Sequence, residues 1–106
     1  MKPLMYGYLR EACEAGDDEV ERIERALKSF AGTAGFCYAT TFYEYQLGSY
    51  AAFEELVVEL KRAEAQYVVV PSFQHLSVHP MVCDHLLLRL ASGVNAQVFE
   101  LGSPRS

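Results

Sequence analysis

The sequence is poor in cysteine and in positive charge. It has three cysteines, an odd number with no C-x-x-C pair, so neither a disulfide framework nor a zinc ribbon is indicated. Nine lysines and arginines stand against fourteen aspartates and glutamates, a net charge of −5. Because phosphate contacts need clustered basic side chains, this balance argues against a free-standing nucleic-acid binder. The cysteine usage fits a reduced, cytoplasmic setting best.

Long apolar runs are also missing. No stretch approaches the ~18 apolar residues of a membrane-spanning helix, and the start of the chain lacks the apolar core of a signal peptide. Of 106 residues, 51% are hydrophobic and 22% are charged, a balance typical of soluble globular proteins. The sequence therefore predicts one domain over residues 1–101, a short flexible tail over 102–106 and no membrane contact.

What the sequence does contain is an alternation of strand and helix patterns. Short aromatic and β-branched runs predict strands over 4–9, 36–43, 67–70 and 96–101. Apolar residues at helical spacing predict a first helix that runs from an N-cap at Asp17 or Asp18 to about residue 31, and further helices over 51–63 and 80–91. The order β-α-β-α-β-α-β indicates a three-layer α/β domain with a mostly parallel central sheet of about four or five strands, flanked by helices.

The apolar spacing also predicts which side chains the helices bury. Ser49 is the expected N-cap of the second helix, and Pro80 suits the first position of the third. The charged side chains of the second helix are expected to lie in solvent with some i,i+4 pairing. Its predicted buried stripe is Phe53, Leu56, Val57 and Leu60. The third helix is predicted to turn inward Met81, Val82, Leu86, Leu87 and Leu90.

In parallel α/β folds, ligands bind beyond the carboxyl ends of the strands. The loops that follow the first three predicted strands cover residues 10–13, 44–48 and 71–78. We therefore expect any site to be assembled from these three loops.

Segments in and around these loops follow one another in a distinctive order. They are YGYLR at 6–10, FYE at 42–44 before Gly48, AFEEL at 52–56, VVV at 68–70 before FQHLSV at 73–78, and GV at 93–94. In this order they resemble the catalytic domain of the serine recombinases, the resolvases and invertases. The corresponding family segments are a Y-x-R-V-S start, a strand that ends in an acid before a Ser-Gly turn, an R-P-A-F-x-x-L helix, and V-V before L-D-R-L-S-R.

The resemblance implies the family's fold but argues against its activity. Serine recombinases attack a DNA phosphodiester with a serine hydroxyl, and several arginines surround the phosphoryl group. The serine's place, two residues after Arg10, holds Ala12, whose methyl group cannot attack phosphorus. Of the charged motif positions only Arg10 and Glu44 remain. The lost positions hold Tyr50, Gln74, His75 and Val78. One guanidinium cannot replace a cluster of them.

The family's recombinases continue into a long helix that pairs subunits and then into a helix-turn-helix. The 106 residues contain no counterpart of either, so we expect no DNA binding by the isolated domain. Cys13 could serve as a substitute nucleophile, but with no base in view a small semi-buried residue is the favoured interpretation. His75, His79 and Cys83 are spaced four apart, yet Pro80 interrupts the helix that would align them. The favoured interpretation is a loop histidine, a cap-region histidine and a core cysteine. We predict no metal and no cofactor.

Three functional hypotheses follow. The preferred one is a catalytically inactive resolvase-like domain that acts as a protein-interaction or regulatory module, with a protein partner or a second copy in a homodimer. The second is a small anion- or metabolite-binding domain. Its pocket would comprise Arg10, Cys13, Glu44, Gln74 and His75. The third, least favoured by the charge, is an accessory factor in site-specific DNA recombination.

Overall fold

The computed structural model describes residues 2–10, 17–44, 50–71 and 79–101. The strands are β1 (Leu4–Arg10), β2 (Cys37–Glu44), β3 (Tyr67–Val70) and β4 (Gln97–Glu100). The helices are α1 (Asp17–Thr33), α2 (Ala51–Ala63) and α3 (Pro80–Leu88), and α3 continues into a π-helical turn over Arg89–Gly93. This order confirms the predicted alternation of strands and helices. Within the described ranges, no helix is both long and apolar enough to cross a membrane.

The four described strands form one all-parallel sheet in the order β2-β1-β3-β4. The predicted α/β class with a parallel central sheet is confirmed. Met5 pairs with Tyr38 of β2, but Gly7 pairs with Thr41. Strand β2 therefore has one residue more than β1 between these two pairs, which is a β-bulge.

The helices cover the two faces of the sheet unequally. On one face α2 and α3 pack on a large core, which includes Tyr6 and Tyr8 of β1 and Val68 and Val70 of β3. On the other face, Leu27 and Ala31 of α1 pack on Met5 and Val69. Because side chains alternate along a strand, neighbouring residues of β1 and β3 supply both cores. The apolar run of β3 is thus covered on both faces, as its sequence predicts.

Helix α2 has the predicted bounds and the predicted buried stripe. Phe53, Leu56, Val57 and Leu60 are all buried against the sheet. The predicted cap is wrong, because the N-cap position belongs to Tyr50 rather than Ser49, and the Tyr50 side chain makes no capping hydrogen bond.

Helix α3 begins at Pro80 as predicted, but its inner face differs from the prediction. Met81 is 86% exposed and Val82 36% exposed, although both were predicted to face inward. Cys83, Leu86 and Leu90 are buried as predicted. Since α3 carries apolar residues on all sides, apolar spacing alone cannot identify the face that packs on the sheet.

Candidate functional site

The carboxyl ends of β1, β2 and β3 lie side by side, because β1 is the neighbour of both other strands. At this edge the backbones of Arg10 and Glu44 are partners in the β1–β2 pairing. The other members of the predicted pocket, Cys13, Gln74 and His75, lie outside the described residues, as do Ala12 and Val78. Glu44 is the predicted site residue for which described residues supply hydrogen-bond partners.

Glu44 is a buried acid with only 3% of its surface exposed. The Tyr8 hydroxyl donates to its Oε2 at 2.9 Å. The backbone N–H of Ala52 lies 3.1 Å from Oε2 and 3.2 Å from Oε1, and that of Phe53 lies 3.3 Å from Oε2. These two N–H groups belong to the first turn of α2, which has no partners for them within the helix. The Glu44 carboxylate thus caps α2 from the end of the neighbouring strand.

This cap sets the electrostatics of the candidate site. A helix N-terminus carries partial positive charge and is a natural position for an anion such as phosphate. Here the protein's own carboxylate takes that position. Tyr50 is the N-cap residue and packs against the large core. A tyrosine at this position supplies no positive charge to the start of α2.

Two tyrosines of β1 join the sheet to acids beside α2. Tyr8 is fully buried, with its ring edge-on to Phe53 at 6.0 Å, and its hydroxyl reaches Glu44. Tyr6, two residues earlier on the same face, donates to Glu59 of α2 at 2.9 Å. Burial raises the pKa of Tyr6, and the hydrogen bond with Glu59 raises it further. Neither pair is predicted by the sequence patterns above, although buried tyrosines at alternate strand positions indicate that each hydroxyl needs a partner.

A second polar cluster lies on the α1 face of the sheet. The Thr41 hydroxyl donates to Glu24 of α1 at 3.2 Å, so the Tyr38 hydroxyl is the donor in its own hydrogen bond with Thr41. Burial raises the pKa of Tyr38 to about 12. A Cβ atom on Gly7 would lie 1.9 Å from the Tyr38 hydroxyl oxygen, so this cluster depends on the absence of a side chain at Gly7.

Metal ligands do not converge in the described part of the chain. His79 and Cys83 belong to the first turn of α3, where the Cys83 N–H donates to the His79 carbonyl at 2.9 Å. Burial raises the pKa of the Cys83 thiol, and the nearby acids Asp84 and Glu100 raise it further. This disfavours the thiolate that a metal would require. Over the described ranges, no group of three potential ligands is present.

Comparison with known proteins gives no relative from which a role could be transferred. No protein-family model matches the sequence. No curated protein is significantly similar to it. A function for this chain must therefore be argued from its own residues and their geometry.

Proposed function

We propose that this chain is a catalytically inactive, resolvase-like domain that serves as a protein-interaction module in the cytoplasm. The observation that carries the proposal is the use of Glu44. This acid, one of two charged residues that the resemblance retains, is bound to Tyr8 and to the first turn of α2. Its role is architectural, and Ala12 supplies no nucleophile. The free thiols of Cys37 and Cys83 suit a reducing compartment.

The carboxylate at the start of α2 favours an inactive domain over an anion-binding domain. A phosphoryl group placed at the start of α2 would meet the Glu44 carboxylate, which already accepts hydrogen bonds from the N–H groups of Ala52 and Phe53. Like charges held close together in a poorly solvated place repel strongly. An anion-binding pocket around Arg10, the second hypothesis, would have to overcome this charge. The same repulsion disfavours an accessory role that depends on DNA phosphates.

Exposed apolar side chains support a role in binding other proteins. Val58 of α2 and Met81 and Leu88 of α3 are between 62% and 86% exposed. Methionine is among the residue types enriched at protein interfaces. The partner is another protein or a second copy of this chain.

The first test is chemical. The pure protein is incubated with supercoiled DNA that carries recombination sites, and covalent adducts are sought on a denaturing gel. We expect none, and we expect none from Ala12→Ser, since a restored hydroxyl still lacks the cluster of arginines. An adduct formed by the wild-type protein would refute the proposal.

The second test addresses the alternatives. A thermal-shift screen with nucleotides and small carboxylates should give no shift that Arg10→Ala abolishes, and a mobility-shift assay at low salt should show no DNA complex. A shift abolished by Arg10→Ala would favour the anion-binding hypothesis instead. A DNA complex at low salt would favour the accessory role.

A further inference from the structure

A shallow groove of about 370 Å³ lies beside α2 and the edge strand β2. Its apolar part is formed by Phe42 of β2 and Val58 of α2, which is 65% exposed. Its other lining residues are the three acids Glu54, Glu55 and Glu59. The groove thus combines an apolar floor with carboxylates at its rim.

The three carboxylates differ in their partners. Glu54 accepts two hydrogen bonds from Arg89, at 2.6 and 2.9 Å. Glu59 accepts from the Arg62 Nε at 2.9 Å and from the Tyr6 hydroxyl. Glu55 is exposed and has no hydrogen-bond or ion-pair partner among the described residues. Because Glu54 and Glu59 are already paired with arginines, Glu55 is the carboxylate of this lining that is left to bind a cation from another molecule.

The groove borders a strand that has a neighbour on one side only within the described sheet. Phe42 lies in β2, which pairs with β1 and forms one edge of that sheet. After the bulge, residues Thr41 to Glu44 pair regularly with Gly7 to Arg10. An edge strand offers backbone N–H and C=O groups to an extended segment of another chain, and adjacent pockets then select its side chains.

We infer that this groove binds an extended cationic segment of a partner protein, which adds to the sheet along β2. An arginine or lysine of that segment lies with its apolar stem on Phe42 and Val58 and with its charge at Glu55. Such side chains cover apolar surface while the charged end stays in water, and a cation is attracted to the face of an aromatic ring. The inference rests on the proposed protein-interaction function and identifies its surface and the chemistry of its partner.

The test uses the full chain and a defined probe. The probe is a fluorescent ten-residue peptide of alternating valine and arginine, and binding is followed by fluorescence anisotropy. We expect saturable binding that is lost when the arginines are replaced by glutamates. A peptide with the same side chains but N-methylated on alternate amides should bind at least about tenfold more weakly, because it cannot pair with an edge strand.

Two protein variants with the same change in charge distinguish binding at the groove from general electrostatic attraction to the acidic protein. Glu55→Lys should weaken binding about tenfold, a change of about 1.4 kcal/mol. Glu21→Lys, at an exposed position of α1, should weaken it less than twofold. Both positions are exposed, so both variants should keep the wild-type thermal midpoint. Three results would refute binding in the groove. They are an equal loss of affinity in the two variants, equal binding of the N-methylated and unmodified peptides, and no binding of the arginine peptide.

Sedimentation of the protein alone tests whether a second copy occupies the groove. A dimer that Glu55→Lys dissociates would overturn the assignment of a cationic peptide. A partner complex that survives Glu55→Lys would refute the groove and leave the interaction module standing. A covalent DNA adduct, in contrast, would refute the module itself, so the two failures are distinguishable.

Discussion

The two faces of the sheet are built in different ways from the same strands. The face under α2 and α3 is a closed apolar core in which Phe53, Leu56 and Leu60 are essentially unexposed. The face under α1 has a small buried centre around Leu27, and half-buried rings surround part of it. Those rings are Phe30, Phe36, Tyr67 and Phe99, with centroids 4.6–6.2 Å apart.

This difference follows from the number of helices on each face. Two described helices shield one face, and one shields the other. On the α1 face, Phe30 of α1 and Phe36 contact the rings of Tyr67 and Phe99 on β3 and β4, and such ring pairs add to the stability of their contact. The polar cluster of Tyr38, Thr41 and Glu24 lies on the same face. Both faces thus contain ring pairs and hydrogen-bonded tyrosines, and they differ in the size of the buried core that surrounds these contacts.

The largest expected effect comes from making the same substitution in both cores. Leu56→Ala and Leu27→Ala each remove a fully buried side chain. We expect Leu56→Ala to lower the free energy of unfolding by about 4 kcal/mol and Leu27→Ala by about 2–3 kcal/mol, because the partly open face can relax into the cavity. Urea denaturation of both variants measures the difference. Equal losses would show that the two faces are equally rigid.

A smaller effect is expected from Gly7→Ala, which tests the close approach on the α1 face. The new Cβ would collide with the Tyr38 hydroxyl, so the ring must move, at a cost of about 1–3 kcal/mol. In a Tyr38→Ala background the same substitution should cost much less, and the coupling between the two sites should be about 1 kcal/mol or more. Additive losses in this double-mutant cycle would contradict the packing described for Gly7.

The smallest effect concerns alkaline pH. Burial raises the pKa of Tyr38 from 10.0 to about 12. Between these values the unfolded chain loses a proton that the folded chain keeps, so the free energy of unfolding should fall as the pH rises from 10 to 12, while below pH 10 this contribution is fully present. Tyr38→Phe should flatten this part of the stability profile, as measured by urea denaturation at several pH values. An unchanged slope would show that Tyr38 ionises alike in both states.

Much of the fold was predictable because it depends on spacing along the chain. Phe53, Leu56 and Leu60 recur at helical intervals, which gave the bounds and inner face of α2. The run of valines in β3 gave a strand buried on both faces. The inner face of α3 was predicted in part, since Cys83, Leu86 and Leu90 are buried as expected. Met81 and Val82 are equally apolar but exposed, and only tertiary packing distinguishes them from the buried residues.

The hydrogen bonds of Glu44 and of Tyr38 could not be predicted from the sequence, for two other reasons. Glu44 was predicted as a site residue, but its capping role joins a strand end to a helix across a loop, which no local pattern reveals. Tyr38 and Thr41 are three residues apart, a spacing that places side chains on opposite faces of a regular strand. The bulge in β2 brings both to the same face, and nothing in the sequence predicted that bulge.

The cap at Glu44 couples the pairing of two strands to the start of a helix. One carboxylate binds Tyr8 of β1, 36 residues earlier in the sequence, and the backbone of Ala52 in the first turn of α2, eight residues later. The Tyr50 side chain adds no capping hydrogen bond to that turn. Because the pairing of β1 with β2 brings Tyr8 to Glu44, the hydrogen bond from Tyr8 helps to hold the carboxylate where it caps α2. Strand pairing and the first turn of α2 therefore stabilise each other.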